Sequence, residues 1–112
     1  MHSFEDLEIW KRSCRLSVDL YTILRNCKDR ALKDQMTRAA VSIPSNIAEG
    51  YERRTGKEYA QFLSVAKGSA GELRTQLYIA SKIGVVDVPV MSAMTKELKE
   101  ISSMIQSIIS KL

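Results

Sequence analysis

The sequence predicts an all-α protein, a single domain folded as an up-and-down antiparallel four-helix bundle. In four segments apolar residues recur every three or four positions, and polar capping residues separate those segments. Only two prolines and five glycines occur in 112 residues. That length suits one domain, and the short connections favour antiparallel neighbours. The predicted helices span residues 4–26, 30–52, 56–83 and 88–112, within a domain covering 1–112.

Each predicted helix begins beside a side chain that can cap its N-terminus. In chain order the start signals are Ser3 with Asp6, Asp29, Thr55 with Glu58, and Asp87 ahead of Pro89. Gly84 is expected to end the third helix. Pro44 lies inside the second helix, but the apolar spacing continues past it, which predicts a kinked helix rather than a break.

The first helix carries two apolar stripes, one more than a bundle needs. We expect the first stripe to face the core; it comprises Leu7, Trp10, Cys14, Val18, Tyr21 and Leu24. The second is expected to contact a neighbouring subunit; it comprises Ile9, Leu16, Leu20 and Ile23. The surplus stripe therefore predicts a homo-oligomer.

Composition excludes several classes of protein. Hydrophobic residues make up 45% of the chain, which is typical of a globular protein. No apolar run could span a membrane and no signal peptide is recognisable, so we expect a cytoplasmic protein with no membrane partner. The two cysteines, Cys14 and Cys27, and the single histidine, His2, are too few for a structural zinc site, so neither metal nor cofactor is expected. The net charge of +4 permits nucleic-acid binding without requiring it.

Polar side chains share one face of the second and third helices. They are Arg38, Ser42, Asn46 and Glu49 on the second helix, and Ser69, Glu72 and Gln76 on the third. Antiparallel packing would place Arg38 opposite Glu72 and Ser42 opposite Ser69. Such a face is either solvated or a buried hydrogen-bonded network, and we expect the network. Gly68 and Gly71 lower helix propensity here, which suggests close backbone approach.

These polar residues do not predict catalysis. The serines have no nearby histidine to activate them. Glu49 and Glu72 lie on different helices, too far apart to act as paired carboxylates. The sequence therefore predicts no catalytic residue and no enzymatic activity.

Basic residues form two groups. Arg53, Arg54 and Lys57 crowd the turn between the second and third helices, and Lys11, Arg12 and Arg15 lie on the outer part of the first. Either group can be a solubilising surface. In a ring-shaped oligomer the same groups recur in each subunit and could bind a polyanion together.

The segment Arg38 to Gly50, RAAVSIPSNIAEG, resembles the signature of four-helix-bundle proteins encoded in intervening sequences of bacterial 23S ribosomal RNA genes. The opening Phe4, Leu7 and Trp10 are also similar to that family. So is a third-helix pattern formed by Phe62, Leu63, Ala66, Gly68, Ser69, Glu72, Leu73 and Gln76. The resemblance covers about residues 4–84. It departs from the family at Asn26-Cys27, where a Phe-Pro pair is usual, and at Lys67, where arginine is usual.

The resemblance implies a homo-oligomer, most simply a pentameric ring, with no known enzymatic activity. The family is related to the accessory variability protein of diversity-generating retroelements, which partners a reverse transcriptase and nucleic acid. We therefore expect association with RNA or DNA through repeated basic patches. The alternative is a protein-interaction scaffold, such as a retroelement accessory subunit that contacts a reverse transcriptase.

Overall fold

Four helices follow one another along the chain in a computed structural model that describes residues 2–112. Each packs against its neighbours in order, and the fourth closes against the first. The result is an up-and-down antiparallel four-helix bundle measuring 43 × 21 × 20 Å, which confirms the predicted fold class. The helices are α1 (Glu8–Ile23), α2 (Arg30–Tyr51), α3 (Gly56–Lys82) and α4 (Val88–Ser110). No helix within the described residues is both long and apolar enough to cross a membrane.

Side-chain caps and a glycine set the helix ends. The Asp29 carboxylate accepts a hydrogen bond from the Leu32 N–H at 3.1 Å, and Thr55 Oγ1 accepts one from the Glu58 N–H at 3.1 Å. Gly84 has a φ of +79°, the left-handed conformation that suits glycine after a helix. The bounds of α2 and α3 therefore lie within one residue of those predicted, and α2 runs unbroken through the buried Pro44.

The first helix is shorter than predicted at both ends. The Ser3 N–H donates to the Asp6 carboxylate at 3.0 Å, but this cap closes a single 3-10 turn, Phe4–Asp6. Leu7 is then extended, and α1 begins only at Glu8. The turn folds back on the bundle, where the Phe4 ring packs edge-on against Trp10 at 5.4 Å between centroids.

The second stripe of α1 does not have the role predicted for it, and the first stripe has its predicted role only in part. Ile9, Leu16 and Leu20 are at most 3% exposed within one subunit, so they cannot contact a neighbour, and their assignment as an oligomer interface is wrong. Ile23 lies at the edge of this face, 36% exposed. The core face of α1 is completed by Ser13, which is fully buried and lies between Ile9 and Leu16.

The other stripe faces the core at Leu24, as predicted, but is exposed in its middle. Val18 is 64% exposed and Tyr21 is 51% exposed, while Trp10 and Cys14 are half-buried. We call these four residues the α1 outer stripe. An apolar face beyond the needs of the bundle therefore exists, but it consists of different residues from those predicted.

Close backbone approach occurs at Gly50 rather than at Gly68 or Gly71. A Cβ built on Gly50 would lie 2.7 Å from the Cβ of Phe62, across the α2–α3 interface. Neither Gly68 nor Gly71 has an atom of another element within 4 Å of a built Cβ. The expectation of close packing at those two glycines is therefore wrong within the subunit.

Candidate nucleic-acid interface

The turn between α2 and α3 carries the three cations that the sequence singled out. Arg53 is already engaged: its guanidinium donates to the Glu49 carboxylate at 2.8 Å and lies 4.6 Å from the centroid of the Phe62 ring. Glu49 therefore pairs with this turn rather than joining the predicted polar network. Arg53 is less available to a phosphate than its place in the sequence suggests.

Arg54 and Lys57 differ from Arg53 in being free. Both are exposed, and within residues 2–112 neither forms an ion pair. The nearby Glu58 is held by the cap of α3, where its carboxylate accepts a hydrogen bond from Thr55 Oγ1 at 3.2 Å. The two free side chains can therefore point cationic groups into solvent at this end of the bundle.

Arg12 on α1 is not available to a nucleic acid. Its Nε donates to Glu97 Oε2 at 2.8 Å, and its Nη2 donates to both Glu97 and Glu100, the latter at 2.9 Å. The Arg12 guanidinium holds the pKa of Glu97 below its usual range, and the two carboxylates raise the pKa of Arg12. Arg12 therefore ties α1 to α4, and a phosphate would have to displace two carboxylates to reach it.

Lys11 and Arg15 flank this ion-paired arginine and are exposed. They belong to the first two turns of α1, whose N-terminus points toward the end of the bundle where α2 meets α3. The position of α1 along α4 is fixed by the ion pairs of Arg12. It is also fixed by a groove that Leu7 and Ile9 line together with Met104 and Ile108, near the end of α4. Lys11 therefore lies toward the end of the molecule that carries the α2–α3 turn, whereas Arg15 lies near Glu97, level with the middle of α4.

Part of the predicted polar network forms between α2 and α3. The hydroxyls of Ser42 and Ser69 lie 2.9 Å apart, and the Asn46 amide donates to the backbone oxygen and hydroxyl of Ser42 at 2.8 and 2.9 Å. Gln76 lies in the same groove, and its Oε1 is buried without a partner among the described residues. The contact between the Ser42 and Ser69 hydroxyls joins the two helices beside a groove of about 430 Å³.

The predicted Arg38–Glu72 pair does not form. Both residues are exposed and border the same groove, yet they make no ion pair in the part of the chain that the structure describes. Because both are solvated, the prediction of a buried pair is wrong. No cluster of three potential metal ligands occurs among residues 2–112.

Comparison with known proteins decides the family. The model of the 23S rRNA-intervening sequence protein family matches residues 5–107. The chain belongs to this family. The match extends through most of α4, so the family resemblance covers more of the chain than residues 4–84.

The structure of this 23S rRNA-intervening sequence protein is similar to one solved by crystallography. That relative is a protein of unknown function from the S23 ribosomal protein family of Bacteroides thetaiotaomicron VPI-5482. The TM-score is 0.84 at 21% sequence identity, over 90% of this chain and 97% of that chain. At this identity the similarity concerns the fold alone. Comparison with curated proteins gives no match.

Proposed function

We propose that this chain is a non-enzymatic cytoplasmic protein that forms a homo-oligomer and associates with RNA through cations repeated in every subunit. The observation that carries the proposal is the exposure of Arg54 and Lys57, free of carboxylate partners, at one end of an elongated bundle. Lys11 and Arg15 add exposed cations along α1. Membership of a family connected with intervening sequences of 23S rRNA supports RNA as the polyanion.

Assembly is needed because one subunit offers too little charge. Arg54 and Lys57 lie near Glu52 and Glu58, so a single copy would hold a phosphate backbone weakly. A ring repeats the pair once per subunit, and contacts made together multiply in affinity. The family resemblance implies a pentamer, and the proposal requires no metal or cofactor.

The α1 outer stripe supports self-association. Val18 and Tyr21 expose more than half of their surface to solvent, and apolar surface of this kind often marks an interface. Val41 of α2, 40% exposed, lines the same α1–α2 groove as Tyr21, so the apolar surface continues onto α2. We therefore place the subunit contact on the outer face of α1 and the adjoining part of α2.

Charge reversal tests the RNA association. The variant Arg54→Glu/Lys57→Glu should bind 23S rRNA fragments about tenfold more weakly at low salt, with a shallower dependence on salt, because fewer counterions are released. Lys28→Glu/Arg30→Glu is the matched control, since it makes the same change in net charge near the opposite end of the bundle. Equal loss of affinity in both variants, or no binding by the wild type at low salt, would overturn the proposal.

A protein-interaction scaffold is the second candidate function. A groove of about 780 Å³ between α1 and α4, lined mostly by apolar surface, favours it. The relation to retroelement accessory proteins, with a reverse transcriptase as partner, stays a prediction from the resemblance.

A further inference from the structure

The seam between α1 and α4 is the most open in the bundle. Met91 and Met104 supply apolar surface to the groove there, and Thr95 and Ser103 line it between them. Both methionines are half-buried, so each offers part of its side chain to a partner. Methionine is flexible and polarisable, which suits surfaces that accept apolar side chains of varied shape.

The rim of this α1–α4 groove is basic. Lys96 and Lys99 are exposed, and neither forms an ion pair within residues 2–112. The carboxylates nearest to them in sequence, Glu97 and Glu100, are already bound to Arg12. Lys96 and Lys99 are therefore the charged groups at this rim that have no ion-pair partner among the described residues.

A second basic group stands on the other side of α4. Lys99 and Thr95 also line a groove of about 470 Å³ between α3 and α4, together with Arg74. The Nε of Arg74 is buried and makes no hydrogen bond among the described residues. Thr95 and Lys99 therefore lie on the ridge of α4 between the two grooves.

The dimensions of the α1–α4 groove suit a helix. Met91 and Met104 are separated by about 20 Å along α4, which corresponds to between three and four helical turns. An amphipathic helix placed in a groove inserts apolar side chains at intervals of three and four residues. Acidic residues beside those side chains would meet Lys96 and Lys99.

We propose that the α1–α4 groove binds an acidic amphipathic helix of a partner protein. A second copy of this chain fits less well, because the chain has a net charge of +4 and its four helices are all packed in the bundle. Nucleic acid also fits less well, because a phosphate backbone gains nothing from an apolar floor. The proposal rests on the second candidate function and is independent of RNA association at the α2–α3 turn.

The test uses the full chain and a designed peptide of about 15 residues, long enough to fill the groove as a helix. Its leucines occupy one helical face and glutamates flank them; a scrambled peptide keeps the composition and charge but loses that face. Fluorescence anisotropy should show affinity for the amphipathic peptide about tenfold above that for the scrambled one. Equal affinity would show attraction by charge alone and would overturn the proposal, as would no binding.

Two further measurements locate the peptide. Lys96→Glu/Lys99→Glu should weaken binding about tenfold, whereas the matched Lys28→Glu/Arg30→Glu variant should bind as the wild type does. Methyl NMR should show the Met91 and Met104 signals shifting while that of the buried Met36 stays unchanged. Unaltered affinity of the Lys96/Lys99 variant, unmoved Met91 and Met104 signals, or displacement of the peptide by an rRNA fragment would contradict the proposed occupant. RNA binding by the Arg54→Glu/Lys57→Glu variant is a separate measurement, and its outcome does not decide whether the groove binds the peptide.

Discussion

Gly50 lies in the last turn of α2, where α2 and α3 approach each other closely. A methyl group there would overlap the Cβ of Phe62, an atom fixed to the backbone of α3, and would also press on the Tyr59 ring at 3.0 Å. The overlap with the Phe62 Cβ cannot be relieved by rotating a side chain, because this atom is fixed to the backbone. The approach of the two helices near the basic turn therefore depends on glycine.

Gly50→Ala should lower the free energy of unfolding by about 1–3 kcal/mol, because the overlap forces the helices apart. Gly68→Ala is the matched control, since open space surrounds that position. It should leave stability unchanged or raise it by up to about 1 kcal/mol through improved helix propensity. Urea denaturation of both variants measures the difference, and equal stability of the two would refute this account of Gly50.

Single side chains also explain why the core face of α1 was misassigned. Ser13 and Ser17 are buried because each hydroxyl donates to a backbone oxygen one turn earlier, Ser13 to Ile9 at 2.7 Å and Ser17 to Ser13 at 3.0 Å. These local bonds satisfy the hydroxyls without water. A hydrophobic pattern in which serine counts as polar predicts that this face of α1 lies outside the core of the subunit. The competing stripe, with Trp10 and Tyr21, has larger apolar residues and so gives the stronger core signal.

At the scale of the helix, the sequence predicts far more about α2, α3 and α4 than about α1. The caps of α2 and α3 act locally through Asp29, Thr55 and Gly84, whereas Asp87 begins α4 without a side-chain capping hydrogen bond. The apolar residues of all three helices follow a single clear stripe. The Arg12 contacts with Glu97 and Glu100 join residues more than 80 positions apart, so no local spacing could reveal them. Whether Arg54 and Lys57 form ion pairs likewise depends on the orientation of the surrounding carboxylates, which the sequence does not reveal.

The ion pairs of Arg12 should stabilise the open α1–α4 seam. The Arg12 and Glu97 side chains are 22% and 30% exposed, so Arg12→Ala should cost about 1–2 kcal/mol, between the values for exposed and buried pairs. Arg15→Ala is the control, because Arg15 is exposed and forms no ion pair among the described residues, and it should cost less than about 0.5 kcal/mol. Chemical denaturation at pH 7 compares the two.

The pH dependence of the same variant follows from the lowered pKa of Glu97. The carboxylate is ionised more readily in the folded protein, so the pair contributes fully above the ordinary pKa of 4.5 and is lost as the pH falls through the lower folded value. The difference in stability between wild type and Arg12→Ala should therefore shrink in acid. A difference that stays constant from pH 7 into that range would contradict the role given to this ion pair.

At the level of the whole molecule, the proposed association with RNA depends on assembly of subunits through the α1 outer stripe. Val18→Asp places a charge where a subunit contact would bury it, so it should convert the proposed oligomer to a folded monomer at micromolar concentration. Val88→Asp is the matched control, with a similar exposure of 60% against 64% but a position at the start of α4, and it should leave assembly intact. Light scattering gives the mass, and circular dichroism verifies that both variants remain helical.

RNA binding by the folded Val18→Asp monomer tests directly whether RNA association requires several subunits acting together. This substitution leaves the cations at the α2–α3 turn unchanged. It alters only the number of copies of these cations that one assembly presents to RNA. A titration with a 23S rRNA fragment at increasing salt should show affinity at least about tenfold below that of the wild type and a shallower salt dependence, while Val88→Asp behaves as the wild type does. A Val18→Asp monomer that binds the fragment with wild-type affinity and salt dependence would contradict the account.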